Sequence, residues 1–436
     1  MPVKVIMGLQ WGDEGKGKVV DQMVTDWADV VVRYQGGNNA GHTIYDEQNN
    51  KYVLHALPSG VLKSECLNII SKGCVIEPLS LYSELNAFPD AFIKISDQCP
   101  LILPHHIIYD KLKYQNKIGT TAKGIGPAYA EYIARDNFTF FDLIHNFADV
   151  KTNIALKLHQ LNYDTSSSEV FKVVFQSHLL LNNFDAASVD NLTDMTSKIN
   201  QFIDEYIARL ELAVNSFIQR ELIVNTDELI NSLYFENKNI ILEGAQGWGL
   251  DIWGRSYPNV TSSSPNIGGA LISTNLNHKQ IDEVIGVVKI YKSKVGEGNH
   301  STEYHLHDSI AAFLDDARDA LGEFGATTGR PRRLGWLNMD EIKQACQTNG
   351  VDHIVITRVD SIHELKTPRD SFHILHENEY LAYALWKDLT KCKDENEFLN
   401  QKELSFFISD FKRITNVPKV SLSFGPKRNQ IKWNKD

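Results

Sequence analysis

Apolar, largely β-branched runs recur along the chain at Val3-Lys4-Val5-Ile6, Val30-Val31-Val32, Asn68-Ile69-Ile70, Ile240-Ile241-Leu242, Val284-Ile285-Gly286-Val287-Val288 and His353-Ile354-Val355-Ile356. Polar, Gly or Pro residues bound each run, and helix-compatible stretches lie between many of them. The pattern predicts an α/β fold with a large, mostly parallel central sheet flanked by helices on both faces. In such a sheet ligands bind beyond the carboxyl ends of the strands. The middle of the chain differs, because neither Gly nor Pro occurs between Pro127 and Gly244. Within it Ile199, Phe202, Ile203, Tyr206, Ile207, Leu210, Ala213, Phe217 and Ile218 follow helical spacing, so one helical face is expected to be buried. Residues from about 140 to 235 are read as a helical insertion within one large domain, with Asp164-Thr165-Ser166-Ser167-Ser168 as a surface loop.

Composition narrows the class. The chain has 436 residues, 42% apolar and 23% charged, which suits a globular protein with a sizeable core. No apolar run approaches the roughly 20 residues that span a bilayer, and the N-terminus lacks the layout of a signal peptide. A cytoplasmic protein without membrane contact is expected. Five scattered cysteines with no Cys-x-x-Cys pair argue for reduced thiols and against a zinc or disulfide framework. A net charge of −11 without a long basic run makes nucleic acid an unsuitable partner. Small anions still fit, because local Lys and Arg clusters can focus a positive field inside an acidic protein.

The densest chemistry follows the first strand, in Gly8-Leu9-Gln10-Trp11-Gly12-Asp13-Glu14-Gly15-Lys16-Gly17-Lys18. Gly12, Gly17 and Lys18 have P-loop spacing, in which backbone N–H groups and a helix N-terminus surround phosphate. Val19 stands where a P-loop carries the Ser or Thr that helps hold Mg²⁺. Asp13 and Glu14 lie inside the loop instead. A carboxylate beside phosphates is repelled unless a metal lies between them or it acts on another group.

Further polar loops follow other strands. Gln35-Gly36-Gly37-Asn38-Asn39-Ala40-Gly41-His42-Thr43 offers backbone amides and His42 as an acid or electrostatic partner; a surface turn with a solvated histidine is the plainer reading. Gly119-Thr120-Thr121-Ala122-Lys123-Gly124-Ile125-Gly126-Pro127 suits a phosphate nest or a capped Gly/Pro loop, with Arg135 on an expected short helix beyond. Glu243-Gly244-Ala245-Gln246-Gly247 places Gln246 where it could meet a purine edge, and Thr261 downstream could reach a phosphate. In Thr327-Thr328-Gly329-Arg330-Pro331-Arg332-Arg333 the proline enforces an extended path, so Arg330 and Arg332 share a face opposite Arg333. Two such guanidiniums bind carboxylate or phosphate, although a solvated basic turn has the same composition. Asp360, in Thr357-Arg358-Val359-Asp360, can accept both N1–H and N2–H of guanine. Ser423-Phe424-Gly425-Pro426 is a turn able to close over a base.

Taken in order, these segments resemble the adenylosuccinate synthetases from Val5 to Arg428. The resemblance rests on Gln-Trp-Gly-Asp-Glu-Gly-Lys-Gly-Lys, Gln-Gly-Gly-Asn-Asn-Ala-Gly-His-Thr, Gly-Ile-Gly-Pro-Ala-Tyr, Glu-Gly-Ala-Gln-Gly and Thr-Thr-Gly-Arg-Pro-Arg-Arg. It implies a Mg²⁺-dependent homodimeric ligase that joins IMP and L-aspartate while GTP goes to GDP and phosphate, through 6-phosphoryl-IMP, on the route to AMP. By the same resemblance Asp13 is the base on IMP N1 and His42 the acid at the β–γ bridging oxygen, with Lys16 and Gln246 also in the catalytic set. Asp13 and the Gly41 carbonyl match the Mg²⁺ ligands. IMP contacts match Asp13, Glu14, Gly15, Lys16, Asn39, Ala40, Gly41, His42, Thr121, Gln246, Thr261 and Arg330, with Arg135 reaching over from the neighbouring subunit. GTP contacts match Gly12 through Lys18, Gly41, His42, Thr43, Arg332, Arg358, Val359, Asp360, Ser423, Phe424 and Gly425. The loop Ala326-Thr327-Thr328-Gly329-Arg330-Pro331-Arg332 matches the aspartate site.

Some positions depart from the family pattern. Arg358 replaces a usual lysine, Asn338 a usual aspartate and Ala122-Lys123 the commoner Gly-Arg, while Trp248-Gly249 and Trp253-Gly254-Arg255-Ser256 differ from the commoner Gly-Thr before Tyr-Pro. Two rival readings are a ligase for another 6-oxopurine nucleotide and a guanine-nucleotide switch without synthetase activity. A switch has no need of His42 beside Asp13 or of a second anion clamp at Arg330 and Arg332.

Overall fold

The computed structural model describes residues 3–46, 48, 50–118, 120–164, 195–296, 298, 300, 302, 317–325, 329–365, 371–425 and 427–434. The β-branched runs form a ten-stranded sheet. Its strands, in chain order, are β1 (Val3–Gly8), β2 (Val30–Arg33), β3 (Leu67–Ile70), β4 (Ile93–Ser96), β5 (Ile223–Val224), β6 (Ile240–Glu243), β7 (Glu283–Lys289), β8 (His353–Thr357), β9 (Lys419–Ser423) and β10 (Ile431–Lys432). Across the sheet they run β10-β9-β8-β7-β1-β6-β2-β3-β4-β5, and every pairing is parallel except β9 with β10. All six expected strands are present.

Both faces of the sheet are buried, which is why the runs are continuously apolar rather than alternating. Val5 and Met7 of β1, Val30 and Val32 of β2 and Ile354 and Ile356 of β8 point into one core, while Ile6, Val31 and Val355 point into another. Helix α1 (Lys16–Asp26) covers the second face with Val19, Val20, Met23 and Val24. A third core joins Ile70, Ile93 and Ile95 to Phe140, Leu158, Phe202, Tyr206 and Phe217.

These last residues belong to helices Phe140–His145, Phe147–Asp164 and Met195–Gln219. The 140–235 stretch is not purely helical, since Ile223–Val224 adds the outermost strand to the sheet beside β4. The surface loop expected at 164–168 lies, from residue 165, outside the described residues.

Candidate active site

Six loops at the carboxyl ends of neighbouring strands converge on a cleft of about 1300 Å³. They follow β1, β2, β6, β7, β8 and β9, the positions at which a parallel sheet presents its ligand crevice. Four non-glycine residues of the cleft loops hold left-handed backbone: Asp13 (φ 62°), Ala122 (φ 54°), Gln246 (φ 53°) and Arg358 (φ 61°). Such outliers concentrate where side chains must be aimed against local preference.

The turn after β1 sends its two carboxylates in opposite directions. Gly12, Asp13 and Gly15 all have positive φ, so Asp13 faces the cleft with its side chain 31% exposed. Glu14 is fully buried beneath the turn. Its carboxylate accepts the N–H groups of Gly12 (2.8 Å) and Gln10 (3.2 Å) and pairs with Lys16 Nζ at 2.7 Å. A Cβ on Gly8 would lie 2.3 Å from Glu14 Oε2, and one on Gly247 2.4 Å from Oε1; both glycines make room for the carboxylate. The sequence grouped Asp13 and Glu14 as one acidic problem; the backbone separates them.

The loop lysines are also engaged. Lys16 Nζ donates to the Gln246 carbonyl besides Glu14. Lys18 Nζ donates to Ser423 Oγ (3.0 Å) and to the carbonyls of Phe424, Gly425 and Gln430, stitching the first loop to the turn after β9. Burial pushes the Lys18 ammonium down to about 8, against the attraction of Asp360.

His42 is nearly buried, and its Nδ1 donates to Glu243 Oε1 at 2.5 Å. Glu243, at the end of β6, also accepts the N–H of Ser59 at 2.8 Å and its hydroxyl at 2.5 Å. Burial pushes the Glu243 carboxyl up, but the charge and hydrogen bond of His42, with the hydroxyl and backbone N–H hydrogen bonds of Ser59, outweigh burial and hold it below the usual range. With Nδ1–H committed to Glu243, Nε2 is the nitrogen left for a ligand.

Asn39, Ala40, Gly41, Thr43, Thr121, Gln246, Thr261, Arg330, Arg332, Arg358, Asp360, Ser423 and Gly425 also line the cleft. Asp360 Oδ2 accepts the Gly425 N–H at 2.9 Å, while its buried Oδ1 has no partner. Gln246 Oε1 is likewise buried without a partner. Two expected contacts face elsewhere: Val359 is buried with its carbonyl accepting Trp386 Nε1, and Phe424 packs on Phe398. Gly329 and Pro331 do not line the cleft, and Ala326, Thr327 and Thr328 lie outside the described residues, as do Gly119 and Pro426. Arg135 sits just beyond helix Ile125–Ile133 rather than on it, exposed, with φ 66°.

Other groups carried little sequence signal. Tyr129 Oη donates to the Gly73 carbonyl at 2.6 Å and accepts the Gly36 N–H at 3.1 Å, tying the loop after β2 to the helix behind Thr121. Lys289 and Glu323 form a buried ion pair at 2.7 Å beside Arg332. A lysine ending an apolar strand was the available clue to the first; Glu323, between Gly322 and Phe324, offered none.

A sequence model of the adenylosuccinate synthetase family matches residues 5–432. The adenylosuccinate synthetase of Halothermothrix orenii is 38% identical over 372 residues, 83% of this chain and 78% of that protein. That of Thermodesulfovibrio yellowstonii is 35% identical over 436 residues, covering 97% and 93%. The solved, fully ligated adenylosuccinate synthetase of Plasmodium falciparum superposes over all of both chains with a TM-score of 0.78 at 27% identity. The succinoaminodeoxyadenylate synthetase of cyanophage S-2L, at 17% identity and a TM-score of 0.61, shares the fold. The chain belongs to the adenylosuccinate synthetase family, GTP-dependent ligases that join IMP and L-aspartate in purine nucleotide biosynthesis.

Proposed function

We propose that the cleft carries out the ligation in two displacements, with Asp13 as general base and His42 as general acid. Asp13 takes the N1 proton of IMP as O6 attacks the γ-phosphorus of GTP. The β–γ bridging oxygen departs with a proton from His42 Nε2. The amine of aspartate then attacks C6 of 6-phosphoryl-IMP and phosphate leaves. The observation that carries this reading is that Asp13 and His42 enter one cleft from adjacent loops, each with its own buried counter-charge, Arg332 and Glu243. An acid and a base kept apart in this way can serve two different reactants.

The remaining assignments follow the walls of the cleft. Gln246, Thr121 and Thr261 receive IMP, with Lys16 holding the Gln246 carbonyl. Arg330 and Arg332 receive the aspartate carboxylates and the GTP side, and Asp360 reads guanine through its unpartnered Oδ1. Mg²⁺ fits a hard, oxygen-only set of the Asp13 carboxylate and the Gly41 carbonyl, both lining the cleft. When bound there it would neutralise charge on the transferring phosphoryl group. His105, His106 and Glu131 also cluster, but His106 Nδ1 accepts the Leu103 N–H at 2.9 Å, so its Nε2 carries the proton given to Glu131 and is closed to a metal. Four buried cysteines and half-buried Cys392, all free, and the lack of any described helix long and apolar enough to cross a membrane, support a cytoplasmic enzyme.

Incubation with IMP, GTP, Mg²⁺ and L-aspartate should yield adenylosuccinate by mass only when all are present. GTP hydrolysis that ignores IMP and aspartate would overturn this reading, and GMP or dGMP in place of IMP tests the nucleotide.

Arg135 is read as completing the site of a second subunit, because it is exposed and outside the cleft, next to Ile133, which is 77% exposed. Arg135→Ala and Asp13→Asn proteins should each be inactive, yet recover about a quarter of wild-type activity when refolded together, because half the dimers then hold one intact site. No recovery on mixing would refute a shared site.

A further inference from the structure

The ion pair at Asp13 is one end of a chain of alternating charges that runs under the cleft. Arg332 Nη2 meets Asp13 Oδ2 at 2.9 Å, and Arg332 Nη1 meets Glu323 Oε2 at 2.6 Å. Glu323, fully buried, also accepts Lys289 Nζ at 2.7 and 3.0 Å and the Tyr291 hydroxyl. The backbone repeats the connection: Arg332 N donates to Glu323 O at 2.9 Å, Gly325 N to Arg330 O at 2.8 Å, and Phe324 bridges to Pro331. Lys289 is anchored in turn, since its N–H donates to Gln10 Oε1 and Gln10 Nε2 donates to the Lys289 carbonyl. Glu323 therefore grips Arg332 by both main chain and side chain, and Lys289 ties it to the end of β7.

We infer that Glu323, held by Lys289 and Tyr291, is a positioning residue of the ligation: it fixes which edge of the Arg332 guanidinium faces Asp13 and balances the second buried cation, Lys289, behind it. The inference rests on Asp13 being the base. A guanidinium has a fixed fork of donors, so occupying one edge with Glu323 leaves the other for Asp13 or, once substrates arrive, for their anionic groups. Burial pushes the Glu323 carboxyl up, but the charges of Lys289 and Arg332 outweigh it and hold it down at about 2. The remaining charged groups about this chain are Arg318, whose Nε donates to the Arg332 carbonyl at 2.9 Å, Arg358, which acts on Tyr291 from the end of β8, and the Glu14–Lys16 pair under the turn.

Removing the Glu323 carboxylate frees one edge of the Arg332 guanidinium and leaves Lys289 without its counter-charge. The test is steady-state kinetics at one pH on full-length Glu323→Gln, Glu323→Asp and Lys289→Met, with Asp13→Asn as control. Glu323→Gln is expected to lower kcat by about 10- to 100-fold, as loss of side-chain alignment does, with the KM for IMP changed less than about 3-fold. Glu323→Asp keeps a carboxylate for Arg332 and should recover most of that loss in kcat, which a merely packed side chain would not do. Wild-type kcat in Glu323→Gln, or Glu323→Asp no faster than Glu323→Gln, would overturn the inference. Should Glu323→Gln not fold, a wild-type kcat in Lys289→Met overturns it. Turnover retained by Asp13→Asn would instead sink the base assignment, so the two failures are distinguishable.

Discussion

Asp13→Asn is expected to lower kcat by about 10³-fold, within the range for loss of a general base, while GTP binding measured by calorimetry stays within about 3-fold of wild type, because asparagine keeps a side-chain oxygen where Asp13 would hold Mg²⁺ and loses only the basicity that the transition state needs. The substitution is nearly isosteric, and asparagine tolerates the left-handed backbone that Asp13 adopts at φ 62°. The cradle of Gly12, Gly15 and helix α1 should therefore keep its shape, and Arg332 keeps its hold on Glu323. What disappears is the acceptor for a proton and the charge that faces Arg332. Turnover within about tenfold of wild type would remove Asp13 from the role of base, since such a loss is too small for that step. The thermal midpoint should move little, because a side chain 31% exposed in a single ion pair contributes little to stability.

How far the site could be read from sequence depends on which level fixed each residue. The sheet was legible because burial on both faces leaves uninterrupted β-branched runs, and a parallel sheet then places the following loops together. Gln246 and Asp360 follow β6 and β8 closely and reach the cleft for that reason, while His42 reaches it at the start of the short strand His42–Tyr45, beyond the glycine loop after β2. Side-chain direction within a loop was not legible, because it depends on backbone dihedrals. Val359 and Asp360 are neighbours, yet one is buried under Trp386 and the other opens on the cleft. Ile223–Val224 was hidden inside a helical stretch, since two residues are too few to show a period of two. Glu323 was invisible for a different reason. Its partners Lys289 and Arg332 are brought to it by tertiary folding, and nothing in Gly322-Glu323-Phe324 announces a buried carboxylate.

Glu14 provides the sharpest test of direction within the loop. Glu14→Ala should destabilise the protein by about 3 kcal/mol or more, the usual result of leaving a buried charge unpaired. Lys16, 3% exposed, would keep only the Gln246 carbonyl, and the N–H groups of Gln10 and Gly12 would lose their acceptor. With an unfolding entropy of roughly 2.1 cal/mol/K per residue, a chain of this length should melt about 3 °C lower. Activity should fall too, but by collapse of the turn that aims Asp13, so the affinity for GTP and kcat decline together. The double variant Glu14→Gln with Lys16→Met removes both charges and should recover the melting temperature without recovering turnover. An unchanged melting temperature in Glu14→Ala, together with a loss confined to substrate affinity, would mean that the carboxylate faces ligand after all. The contrast with Asp13→Asn is the decisive comparison: adjacent carboxylates in one turn, of which one is expected to govern chemistry at constant stability and the other the stability of the cradle itself.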